Sequence, residues 1–142
     1  MEKQLEKNYR HKIRVVHIDG QFFFGSATQI ISQFEELLGT KYLIINYEDK
    51  SLLDISAVFA LEDIIIRLQS QKIKVILVIN NTEVLDQLKS LKIVDQIGES
   101  NIFYNEVEAI DFCKKEIEAK IKQNNQMNLR YSIQRLWKNE KK

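Results

Sequence analysis

Short apolar runs of strand length alternate along this chain with longer segments in which apolar residues recur every three or four positions. The runs fall at 13–18, 22–24, 42–46, 73–79 and 102–104. Between them lie four stripes of helical period. The first is Ile30, Ile31, Phe34, Leu37 and Leu38; the second is Ala57, Val58, Leu61, Ile64, Ile65 and Leu68. Val84, Leu85, Leu88 and Leu91 make a third, and Val107, Ile110, Cys113, Ile117 and Ile121 a fourth. A side chain repeats its direction every two residues in a strand and every 3.6 in a helix, so the two patterns are distinct. Their order is strand, strand, helix, then strand and helix three times over. Such alternation predicts an α/β fold: a mostly parallel central sheet of about five short strands with four covering helices.

Punctuation supports these divisions. The chain has no proline and four glycines, so connections are short. Asp19-Gly20 reads as a turn between the first two runs. Ser26 with Gln29, Asn80 with Glu83 and Asn105 with Glu108 are cap pairs at helix starts. Gly39 closes the first helix. The run at 42–46 has little alternation, as expected of a strand covered on both faces. From Gln123 the composition turns polar, then basic, which reads as a linker or frayed helix end followed by a tail. Within the tail, Leu129, Ile133, Leu136 and Trp137 keep helical spacing. The expected organisation is a polar lead-in at 1–11, a folded domain at 12–123 and a basic C-terminal tail at 124–142.

Bulk properties exclude several classes. A length of 142 residues suits one domain with a core of its own. The net charge is +1, which supplies no field to gather nucleic acid. No apolar stretch approaches the roughly 18 residues of a membrane span. The polar start, 1–10, lacks the apolar region of an export signal, so a soluble, unexported chain is expected. Cys113, the one cysteine, sits at helical spacing among isoleucines and reads as a small buried apolar residue.

No enzyme motif is present. The scattered glycines form no phosphate loop, and no Cys/His set has metal-ligand spacing. His11 and His17 are not placed to share a site. No catalytic residue and no metal are expected. Asp54-Ile55-Ser56 is the segment that draws notice, because it opens the second helix stripe. A first helical turn carries unpaired backbone N–H groups and the positive end of the macrodipole. Asp54 or Ser56 can cap it. The same position suits an anion contact, or a phosphate on Ser56 that would change local charge beside Asp54 without refolding.

Two segments, on the elements just described, resemble the STAS family, the fold of anti-sigma-factor antagonists and of the soluble domains of SulP anion transporters. One is Ile18-Asp19-Gly20-Gln21-Phe22-Phe23-Phe24-Gly25-Ser26-Ala27, similar to the transporter-type opening. The other is Leu53-Asp54-Ile55-Ser56-Ala57, similar to the loop that holds the antagonists' phosphorylated serine, with Ser56 in that place. The resemblance spans about 13–122. Antagonists usually carry glycine after the serine, whereas Ala57 and Val58 follow here, and this favours the transporter branch. The short 39–41 connection resembles bacterial members. The resemblance implies a cytoplasmic regulatory domain of a SulP-type transporter for sulfate or a related anion, held on the inner side of the membrane. The implied partner is the transporter's own membrane domain or a regulatory protein. The recognition surface would comprise Asp19, Gly20, Gln21, Asp49, Ser51, Asp54, Ser56 and Ala57. No cofactor is implied, and nucleotide binding is the weakest option. The basic tail could touch a membrane surface. The alternative is a free-standing antagonist that binds an anti-sigma kinase and is switched by phosphorylation on Ser56.

Overall fold

The computed structural model describes residues 12–18, 39–48 and 52–140, with side chains through Lys138. The strand expected at 22–24, the first helix and the Asp19-Gly20 turn lie outside the described residues. The described strands are β1 (Ile13–Ile18), β2 (Tyr42–Tyr47), β3 (Lys74–Ile79) and β4 (Ile102–Phe103). The helices are α1 (Ile55–Ser70), α2 (Thr82–Ser90), α3 (Ile93–Ile97) and α4 (Glu106–Glu140). A 3-10 turn, Glu99–Asn101, leads into β4. The chain divides into two compact units, residues 1–110 and 111–142.

In the first unit the described strands form a four-stranded sheet in the order β1-β2-β3-β4, parallel throughout. Ile13 pairs with Tyr42, and Tyr42 with Lys74, so the strands start level and their carboxyl ends share one edge. The alternate residues Leu43, Ile45 and Tyr47 of β2, with Val75, Leu77 and Ile79 of β3, belong to one apolar cluster. The same cluster takes in the inner stripes of α1, α2 and α3. On the opposite face Ile13, Tyr42, Ile44, Ile76 and Val78 are buried too. Burial on both faces explains why β2 and β3 read as unbroken apolar runs.

Helix α1 buries Ala57, Val58, Leu61, Ile64, Ile65 and Leu68, the stripe that its period predicts. It ends in a Schellman turn. Lys72 N–H donates to the Gln69 carbonyl (3.0 Å) and Ile73 N–H to the Leu68 carbonyl (2.9 Å), while the Leu68 and Ile73 side chains are both buried. Lys72 takes the left-handed position (φ 65°) that glycine usually fills.

Two local expectations are corrected, and one element appears that the sequence did not announce. The cap of α2 is Asn81, not Asn80: its side chain accepts from Glu83 N–H (2.9 Å) and Val84 N–H (3.4 Å). Starting the helix one residue later turns Val84 and Leu88 into the core. Helix α3 was not signalled, because a five-residue helix is too brief to display a period, yet it buries Ile93, Val94 and Ile97. Third, α4 runs without a break through the polar stretch at 123–126 and on to Glu140. Of its expected inward stripe, Cys113 and Ile117 are buried, but Val107 (68% exposed) and Ile121 (46%) are not, and Ala109 is buried in the first turns instead.

Candidate functional site

The described strands being parallel, with their carboxyl ends near one edge, the segments that follow them gather at that edge of the sheet, the usual ligand edge of open α/β folds. Three helices begin there. Asp54 caps α1, its Oδ1 accepting from Ala57 N–H at 2.7 Å. Asn81 caps α2, and Asn105 Oδ1 accepts from Glu108 N–H (2.9 Å) at the start of α4. Each cap satisfies donors that a helix start otherwise leaves unpaired.

The Asp54 segment is held in place by a residue that the sequence does not single out. Gln87 of α2 grips the Leu53 backbone from both sides: Leu53 N–H donates to Gln87 Oε1 (3.0 Å), and Gln87 Nε2 donates to the Leu53 carbonyl (2.6 Å). A side-chain amide here does the work of a neighbouring strand. The Leu53 side chain, buried at 5% exposure, anchors the same turn in the core. Asp54 and Ser56 are therefore presented from a fixed backbone, and both are exposed. Ser56 is not the cap; its position is the second residue of α1. Ala57 is 2% exposed and belongs to the core cluster, so it gives the surface no side chain. Asp19, Gly20, Gln21, Asp49 and Ser51 lie outside the described residues.

Beside this turn, α1 carries a second apolar stripe. Ile55 (59% exposed), Phe59 (62%) and Ile66 (46%) lie on the side of α1 opposite the buried stripe, and Leu52 (54%) is exposed in the segment just before the cap. Single exposed apolar residues are ordinary on a protein surface; a row of them next to a fixed polar turn is less so.

A polar cluster occupies the ends of β1 and β2. His17 and Asn46 are register partners, so their side chains share a face. Both reach Glu106, the first residue of α4: His17 Nε2 donates to Oε1 at 2.6 Å and Asn46 Nδ2 at 3.1 Å. The Glu106 side chain is 4% exposed, and its Oε2 is buried with no hydrogen-bond partner. Glu48 lies 3.7 Å from the same imidazole and is mostly exposed. Sequence reasoning set His17 aside and passed over Glu106. A sequence separation of 89 residues conceals the pair, and the one available signal was a polar residue, Asn46, inside an otherwise apolar strand.

An open depression of about 520 Å³ lies at the end of β3, lined by Asn80, Asn81, Thr82, Glu83 and Tyr104. It is shallow and carries no cation to hold an anion. Among the described residues no three of His, Cys, Asp and Glu are grouped so as to hold a metal ion. The edge as a whole offers capped helix starts, exposed carboxylates and an apolar row. Together these features define a parallel α/β domain with an exposed polar and apolar edge.

Comparison with known proteins makes this class specific. Residues 4–109 match the STAS domain family, well over half of the chain, and the chain belongs to that family. It is similar in structure to the STAS domain of a SulP transporter from Vibrio cholerae, with a TM-score of 0.71 and 27% identity over 82% of this chain and 88% of that one. A sulfate transporter family protein from Wolinella succinogenes shares the fold, with a TM-score of 0.65 at 19% identity. Among curated proteins, Sulfate transporter 1.1 of Arabidopsis thaliana is 30% identical over 74% of this chain. Low affinity sulfate transporter 3 of Stylosanthes hamata is 34% identical over 71 residues. The chain spans 18% and 11% of the lengths of these two relatives.

Proposed function

We propose that this chain is the regulatory and interaction domain of a SulP-type transporter for sulfate or a related anion, placed on the cytoplasmic side of the membrane. The observation that carries the reading is the joint likeness to a SulP transporter's STAS domain and to two sulfate transporters, each matched over only a small part of its length. In this reading transport belongs to a membrane domain. No helix among the described residues is long and apolar enough to cross a membrane.

The domain works by recognition, not catalysis, and needs no cofactor. Its docking face is the start of α1: the exposed row Leu52, Ile55 and Phe59 supplies apolar contact, and Asp54 with Ser56 supplies the polar rim. The Gln87 grip on Leu53 keeps that face in one conformation, which reduces the ordering cost of binding. The transporter's own membrane domain is the partner proposed for it. The native reading frame upstream of Met1 tests the assignment. A series of apolar segments, each about 18 residues or longer, is expected there; a frame with none overturns it.

A further inference from the structure

We propose that the C-terminal part of α4 is a basic amphipathic helix that lies along an anionic lipid surface. From Glu118 to Lys138 every residue of this helix is exposed. Leu129, Ile133, Leu136 and Trp137 are between 55% and 65% exposed. Their spacings of four, three and one place them within roughly 100° of arc on one side of the helix. In proteins most helical stability comes from packing of an apolar face and not from propensity, so a surface that covers this arc would add to the order of the helix.

Charge identifies the cover. Between Ala119 and Lys138 the chain carries Lys120, Lys122, Arg130, Arg135 and Lys138 and no acid. Arg130 flanks the apolar arc, within about 20° of Trp137, while Arg135 and Lys138 lie on the opposite side of the helix. A second copy of the helix would bring the same cations against these, which disfavours self-association. Nucleic acid would pair the cations and leave the apolar arc in water. A bilayer with anionic headgroups satisfies both: the four apolar side chains enter the acyl boundary, Trp137 sits at its edge, Arg130 meets the headgroups, and the cations of the polar face add longer-range attraction. An acidic protein groove has the same two properties. The choice of lipid over that groove rests on the membrane setting proposed above.

Trp137 is the one tryptophan in the chain, so its emission reports directly on this face. The full chain is mixed with vesicles of phosphatidylcholine, with and without phosphatidylserine, then sedimented while Trp137 emission is recorded. Expected are co-sedimentation and a blue shift with the anionic vesicles alone, both weakening as salt rises. Arg130→Gln should weaken binding about fivefold, the worth of one cation at such a surface. Leu129→Ser with Ile133→Ser should weaken it more than tenfold, with the helical circular dichroism of the domain retained because these residues touch no core. Absence of binding to anionic vesicles overturns the proposal, as does binding that ignores the double substitution. A concentration-dependent dimer abolished by that substitution overturns it in favour of a second copy. These outcomes are separate from the reading-frame test: vesicle binding can fail while upstream spans are found, or hold while none is.

Discussion

Asp54 and Ser56 sit two residues apart in the sequence and have different work in the structure. The acid accepts the Ala57 N–H and the serine leaves its hydroxyl to the surface. Asp54→Ala should therefore cost about 1 kcal/mol of stability, while Ser56→Ala should stay within about 0.5 kcal/mol. Urea denaturation of the two variants separates them; equal losses would mean that Ser56 shares the cap. Glu106 is the contrasting acid, interior and bound by His17 and Asn46. Glu106→Ala strands the Asn46 amide and should cost about 1–3 kcal/mol. Glu106→Gln retains one acceptor oxygen and should cost less. The ordering of those two variants in thermal unfolding checks whether hydrogen bonding, and not side-chain volume, is what Glu106 contributes.

Helix α1 carries two apolar stripes with different fates. Leu61 faces the core and Phe59 faces out. Leu61→Ala should lose about 2–5 kcal/mol through transfer and cavity terms. Phe59→Ser should change stability by less than about 0.5 kcal/mol. Under the proposed function, however, Phe59→Ser in the whole protein should lower radiolabelled sulfate uptake while the protein level at the membrane is unchanged; normal uptake would remove this stripe from the proposed docking face. The end of α1 gives a third measurement. Lys72 holds φ 65°, a conformation costing an L-residue roughly 1–2 kcal/mol. Lys72→Gly removes that strain but loosens the unfolded chain, for a net gain of about 0.5 kcal/mol, seen as a raised urea midpoint. The burial pattern of α1 was readable from the sequence because a 16-residue helix repeats its period four times. Helix α3, with five residues, does not complete two turns, and its role in the core is visible only once it has packed.

For the molecule as a whole, the long C-terminal helix separates folding from the proposed lipid contact. Every residue from 118 to 138 is exposed, so ending the chain after Gln123 should leave thermal stability within about 1 kcal/mol. The same truncation should abolish vesicle binding. A large fall in the unfolding midpoint would show that the removed segment contributes to the fold. The alternation of periods two and 3.6 determined, without any structure, that this chain is a parallel α/β domain, and the paired motifs around Gly20 and Ser56 pointed to its family. Backbone geometry imposes those periods locally, so a linear reading recovers them. The Gln87 grip on Leu53, the burial of Ala57 and the meeting of His17, Asn46 and Glu106 were decided by tertiary structure alone. Each joins residues between 34 and 89 positions apart, or turns on which side of a helix start faces inward. Such contacts follow from how strands are ordered in the sheet, a choice made by the packing of the whole chain and recorded in no short segment of it.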